Sequence, residues 1–164
     1  MDISLNEITL FSRMPEKALA EVYLALKTRQ LNTKEILFNQ GDTGEELIIV
    51  KEGKIAIFVP LQGKPTEGQP IRLFQAGDVL GEMALIDRKP RSASARAEEP
   101  TVILTLSGDE FRRLLTASDE LAFSVMAGLS DRIRYTTDFL GEVRTWVGKM
   151  AEGNYQNTGI RDSS

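Results

Sequence analysis

Apolar and polar positions change period twice along this chain. The first stretch has helical spacing. Ser4 with Glu7 three residues later has the form of a capping box and predicts a short helix over Leu5 to Leu10. Pro15 suits the first position of a second helix, in which Leu19, Val22, Tyr23 and Leu26 recur at helical intervals. From about Gln30 to Ser107 the pattern shortens to that of strands. Ile36-Leu37-Phe38 runs into the turn Asn39-Gln40-Gly41-Asp42, and Leu47 to Val50 runs into Lys51-Glu52-Gly53-Lys54. Ile55, Ile57 and Val59 then alternate with Lys54, Ala56 and Phe58. Gln62 to Gln69 is polar with Gly and Pro and reads as an exposed hairpin loop. Ile71 to Gln75, Arg91 to Ala97 and Thr101 to Leu106 read as further strands, punctuated by Pro90 and Pro100.

The third stretch is helical again. Ser107 with Glu110 forms a second capping box, opening a helix that carries Phe111, Leu114 and Leu115. Ser118, followed by Asp119 and Glu120, opens a last helix that extends to about Met150. Its seam is Ala122, Met126, Leu129, Ile133, Thr136, Leu140, Val143, Val147 and Met150, with steps alternating between four and three. A helix of that extent is roughly 45 Å long at 1.5 Å per residue, more than one small sheet domain covers. The far half is therefore expected to pack on a second chain. Gly128, Gly141 and Gly148 predict either close helix approach or a local break. Residues 152–164 read as a frayed tail or linker. Short strands at near-regular spacing, flanked by helices, predict a mainly β chain. The expected form is an antiparallel jelly-roll barrel with N-terminal helices and a long C-terminal helix. The expected organisation is one domain over 1–135, a helical extension over 136–150 and a tail over 151–164.

Composition narrows the chemistry. The 164 residues suffice for one ordinary domain, and a formal net charge of −4 argues against a broad nucleic-acid footprint. With neither Cys nor His, the chain has no thiolate or imidazole metal ligand and no Ser-His-Asp or Cys-His nucleophile. That argues against a metal-dependent barrel enzyme and for binding rather than catalysis, with no cofactor or metal expected. No apolar run approaches the ~20 residues of a membrane span, and Met1-Asp2-Ile3-Ser4 lacks the pattern of a signal peptide. A cytoplasmic location is the expectation.

One stretch carries candidate chemistry: Gly77-Asp78-Val79-Leu80-Gly81-Glu82-Met83-Ala84-Leu85-Ile86, followed by Pro90-Arg91-Ser92-Ala93. It sets a turn, a Gly, an acid and a short helical turn ahead of one Arg. A carboxylate accepts from sugar hydroxyls, and a guanidinium fork holds phosphate oxygens. Read singly, each residue has a plainer meaning: Arg91 as a solvated Arg, Glu82 as a helix-start acid, Ser92 as a strand Ser, Gly81 as a turn residue. Their order suits a small ligand bearing both a hydroxyl and a phosphate.

In these residues the chain resembles the cyclic-nucleotide-binding domain family, over roughly Leu10 to Tyr135. Gly81 to Ile86 through Pro90 to Ala95 matches that family's phosphate-binding cassette, supported by the turns at Gly41, Gly53 and Gly77. The resemblance implies that Glu82 accepts the ribose 2′-hydroxyl and that Arg91 pairs with the cyclic phosphate. It further implies that the backbone N–H groups of Ala84 and Leu85 point at the same anion. Gly81 would allow close approach of backbone to sugar. Met83 and Ala93 belong to the same cassette, Ser92 is a donor to phosphate or base, and Ile71 and Leu73 form an apolar wall beside the base. Arg132, Arg134 and Tyr135 lie where the family places a cover over the base.

Two departures matter. Leu80 stands where the family commonly has Phe, which leaves the polar contacts intact. After Met150 too few residues follow for a helix-turn-helix, so direct nucleic-acid binding is not expected. The resemblance implies a sensor of a 3′,5′-cyclic nucleotide that relays binding through its last helix to a homodimer partner, an output domain or another protein, away from membranes. Cyclic AMP is the first expectation, from its frequency in the family, and cyclic GMP the second, since Ser92 stands between the residues that accompany each. The competing reading is a degenerate barrel kept as a dimerisation scaffold without ligand.

Overall fold

The structure, a computed structural model, describes residues 4–8, 10–12, 14–64 and 66–151. The tail expected over 152–164 lies outside them. Among the described residues, eight strands form two four-stranded antiparallel sheets. Strands β1 (Lys27–Leu31), β8 (Thr101–Ser107), β3 (Glu46–Glu52) and β6 (Val79–Leu80) make one, in the order β1-β8-β3-β6. Strands β2 (Ile36–Phe38), β7 (Ser94–Ala97), β4 (Lys54–Phe58) and β5 (Pro70–Gln75) make the other, in the order β2-β7-β4-β5. Inward residues of both sheets share one core: Leu31, Ile48, Val50, Leu80 and Ile103 from the first, Ile55, Phe74, Ala95 and Ala97 from the second. This is the expected jelly roll, with helices before its first strand and after its last.

The helices are α1 (Glu16–Ala25), α2 (Glu82–Asp87), α3 (Gly108–Ala117) and α4 (Asp119–Ala151). The helix expected over Leu5 to Leu10 is shorter, a single 3-10 turn over Leu5–Glu7, although Glu7 does accept from the Ser4 amide at 3.4 Å. Pro15 caps α1 rather than occupying its first position. β1 begins at Lys27, earlier than its pattern announces, because only Leu31 of its five residues is buried. β7 begins at Ser94 instead of Arg91. Ser107 caps α3, its Oγ accepting from the Glu110 amide at 3.3 Å, while the Glu110 carboxylate turns to Arg113 and does not close the box.

Two compact units divide the chain, one ending at Val125 and one starting at Met126. Leu121 and Val125, in the opening turns of α4, are buried in the first unit. In the second, α4 runs unbroken through Gly128, Gly141 and Gly148, so the break those glycines offered is not taken. Ile133, Leu140, Val143, Val147 and Met150 of the heptad seam are exposed there.

Candidate functional site

The turn between β6 and β7 is built around Gly81 and Arg91. Gly81 caps α2 with φ 91° and ψ 0°, a left-handed conformation that glycine adopts without strain. A Cβ at Gly81 would lie 2.5 Å from Arg91 Nη1 and 3.0 Å from the Glu46 carbonyl oxygen, so the position also lacks room for a side chain. Arg91 lies in the bend before β7. Its amide donates to the Asp42 carbonyl at 2.8 Å, and its carbonyl accepts from the Gly41 amide at 2.9 Å. The loop between β2 and β3 thus grips Arg91 by its backbone.

The Arg91 side chain turns inward and is only 7% exposed. Nη1 donates to the Gly81 carbonyl and Nη2 to the Glu46 carbonyl, each at 2.9 Å. The guanidinium sits 4.4 Å from the centre of the Phe38 ring. Glu82, the first residue of α2, is 8% exposed. Burial draws the Arg91 pKa below its ordinary value, while the carboxylates of Glu82, Glu46 and Asp42 act in the opposite sense. An arginine stays charged throughout the physiological range. Its Nε is buried and has no acceptor among the described residues. A buried charged donor without an acceptor is costly, and an anion at that position satisfies it.

Several site residues were not singled out by sequence. A Cβ at Gly44 would lie 2.4 Å from the Ala84 Cβ and 3.0 Å from both Cζ and Nε of Arg91. Gly44 therefore lets its loop close over α2 and the guanidinium together. Phe38 and the backbone of Asp42 and Glu46 complete the setting of Arg91. The run Gly41-Asp42-Thr43-Gly44 was the available signal, and it reads only as a turn without the partner it closes on.

Of the cassette residues, Ala84 and Leu85 are buried in α2; the Ala84 amide is among the four that a helix start leaves for outside acceptors, whereas the Leu85 amide stands where the first intrahelical bond forms. Met83 is exposed, as is Ser92, whose carbonyl accepts from Gln40 Nε2 at 3.1 Å. Ala93 is half-buried. Ile71 and Leu73, 49% and 53% exposed, alternate with Phe74 on β5 and so fall on the face away from the core. The alternation brings Arg72, not its neighbours, to the core side, its guanidinium 4.8 Å from the Phe74 ring centre. A surface cavity of about 540 Å³ adjoins α2, lined by Gly44, Ala84, Arg88, Lys89, Gly108 and Arg112 among others. Neither Glu82 nor Arg91 lines it, and Arg112 pairs with Asp109 at 2.6 Å.

Among the described residues no group of acidic side chains suits a metal ion, and no helix is long and apolar enough to cross a membrane. Fold and site together define an antiparallel jelly-roll domain in which Glu82 and Arg91 are both buried beside the β6–β7 turn. The chain belongs to the cyclic nucleotide-binding domain family, whose profile, described as "Cyclic nucleotide-binding domain", matches residues 28–118. A cAMP-dependent protein kinase regulatory subunit of Emericella nidulans is 33% identical over 113 residues, 68% of this chain and 26% of the relative. The Cyclic AMP receptor protein of Thermus thermophilus is 35% identical over 98 residues, 60% of this chain and 44% of that protein. The crystal structure of Thermus thermophilus Catabolite Activator Protein superimposes with a TM-score of 0.72 at 28% identity, covering 83% of this chain and 63% of that one. The chain thus spans about a quarter of the fungal subunit and under half of the bacterial receptor.

Proposed function

We propose that this chain is a regulatory module that binds a 3′,5′-cyclic purine nucleotide and does no chemistry on it. The observation that carries the reading is the buried guanidinium of Arg91, with two nitrogens on backbone carbonyls and Nε lacking an acceptor. In this reading Nε takes a phosphate oxygen, the Glu82 carboxylate takes the ribose hydroxyl, and the amides at the start of α2 add donors. The Glu–Arg pair addresses sugar and phosphate and leaves the base unread, so it accommodates cyclic AMP and cyclic GMP alike. The Ser92 hydroxyl and the backbone at Ala93 are assigned to the same phosphate edge. Ile71 and Leu73, on the far face of β5, are left out of the base wall.

The reading extends to output. Leu121 and Val125 anchor α4 in the β unit, and the helix continues without a break. We assign α4 as the relay: a ligand that favours one packing of its first turns shifts the population of the whole helix. Its exposed seam, Ile133 to Met150, is assigned to a second copy of the chain.

Calorimetric titration with cyclic AMP, cyclic GMP and non-cyclic 5′-AMP tests the binding step. Both cyclic nucleotides are expected to bind, and Arg91→Ala to lose about 2–5 kcal/mol, the cost of truncating one member of a buried charge pair. Arg91→Lys keeps the charge and separates loss of the fork from loss of fold, which circular dichroism monitors. Absence of binding by the wild-type chain overturns the reading in favour of a ligand-free scaffold.

A further inference from the structure

The Arg91 guanidinium is held by groups from both sheets. Its terminal nitrogens donate to the carbonyls of Gly81, which follows β6, and of Glu46, which opens β3, both on the first sheet. A guanidinium is planar, and all its N–H donors lie in that plane. Two such bonds set the fork along the line between their acceptors. On their own they leave the plane free to hinge about that line. The Phe38 ring, from β2 of the second sheet, closes the hinge: the guanidinium carbon lies over it, 4.4 Å from its centre. The Nε–H shares the plane, so the tilt set by the ring decides where this third donor points.

Phe38 reaches that position through an irregularity in its strand. Ile36 is opposite Arg96 on β7, and regular pairing would then set Leu37 opposite Ala95. Instead the register shifts, and Phe38 is opposite Ala95. Leu37 and Phe38, although successive, both pack against the buried core. An extra residue of this kind re-aims a side chain, and here it turns the ring inward. The ring is thereby anchored by its own packing, as a group that orients another must be. The face of an aromatic ring is its electron-rich side and attracts a cation, most strongly where water is excluded. Arg91 is only 7% exposed, so the contact is of that kind. An aliphatic side chain of similar bulk fills the same space without this attraction.

We infer that Phe38 is a positioning residue for the phosphate: its ring fixes the plane of the Arg91 guanidinium and thereby aims Nε at the bound anion. The inference deepens the cyclic-nucleotide reading proposed above and rests on it. Because Phe38 acts through Arg91, its effect belongs to the part of the ligand that cyclic AMP and cyclic GMP share.

The test is calorimetric titration of the whole chain with both nucleotides, comparing the wild type with three versions of position 38. The first carries a phenylalanine trifluorinated on its ring, which keeps the shape and withdraws electrons from the face. It is expected to bind both nucleotides more weakly by the same factor, about fivefold, within the range of a desolvated cation–ring contact. Phe38→Leu removes the ring and is expected to lose about tenfold. Phe38→Tyr keeps the ring face and is expected to stay within about twofold of the wild type. A residue that only fills space shows no response to fluorination, whatever its melting temperature does. Wild-type affinity in the fluorinated chain therefore overturns the inference, even if Phe38→Leu fails to fold. So does a loss confined to one nucleotide, since the ring then serves the base, or a loss in Phe38→Tyr as large as that in the fluorinated chain. Failure of the wild type to bind either nucleotide overturns the underlying reading instead.

Discussion

Gly44 shows how much of the site depends on an atom that is missing by design of the sequence. Its absent Cβ is where the Ala84 methyl and the Arg91 guanidinium meet, at 2.4 and 3.0 Å. Gly44→Ala is expected to cost about 1–3 kcal/mol of stability, typical of overpacking a filled space. It should also weaken cyclic-nucleotide binding, because either α2 or the guanidinium must give way. Urea melts paired with titrations check both, and a variant that binds and melts like the parent contradicts this packing. Glu82, Arg91 and Gly81 stood out in the sequence because they are close together along it. Gly44 did not, because its partners lie about 40 positions away and nothing local marks a glycine that exists to leave space. The inward face of β5 was illegible for another reason: Ile71 and Leu73 are apolar and Arg72 is charged, so composition alone puts the apolar pair inside. Only the register against Ile55 and Ile57 shows which face is inward.

At the scale of elements, the turn between β1 and β2 is fastened to the end of β7. The Lys34 amide donates to the Ala97 carbonyl at 2.7 Å, and the Ala97 amide donates to the Glu35 carbonyl at 2.9 Å. The Glu98 carboxylate closes the clamp, accepting from Arg96 Nε at 2.7 Å and from Lys34 Nζ. Burial raises the Glu98 pKa, but the hydrogen bonds from Lys34 and Arg96 outweigh it and the net shift is downward. A carboxyl whose folded pKa lies below its unfolded value stabilises the fold above the unfolded value, about 4.3 for Glu. That contribution is lost as pH falls through the folded pKa. Glu98→Gln is therefore expected to lower the melting temperature at pH 7 and to flatten its decline below about pH 4.3. Melting curves from pH 7 down to the acid limb check this, and parallel curves for the two proteins contradict it.

Helix caps and alternating strands were legible because each is signalled within a few residues: Ser107 before α3, Ile55 and Ile57 on β4. β1 was legible only at its end. Four of its five residues face water, and it is a strand because β8 pairs with it from Lys27 to Leu31. The two-residue β6 is likewise defined by β3, through the pairs Ile48 with Leu80 and Ile49 with Val79.

For the whole molecule, the α4 seam makes the sharpest demand. Ile133, Leu140 and Val147 recur every seven residues and all are exposed in a single chain. Pairing of two copies along this seam buries them, and Leu140→Glu is expected to convert a dimer into a monomer in sedimentation equilibrium. Cyclic-nucleotide binding should survive in that variant, since Arg91 and Glu82 lie in the unit ending at Val125. A wild-type chain that sediments as a monomer at all concentrations contradicts the assignment.

The two carbonyls that hold Arg91 come from separate pieces of chain, one closing β6 and one opening β3. The guanidinium is a rivet through both, already seated before any guest arrives. An anion bonded to Nε would leave both carbonyl bonds in place, but Nε is buried, so its cover has to give way first and capture is expected to be limited by that step. The same rivet then carries the guest's pull into two strands of one sheet at once.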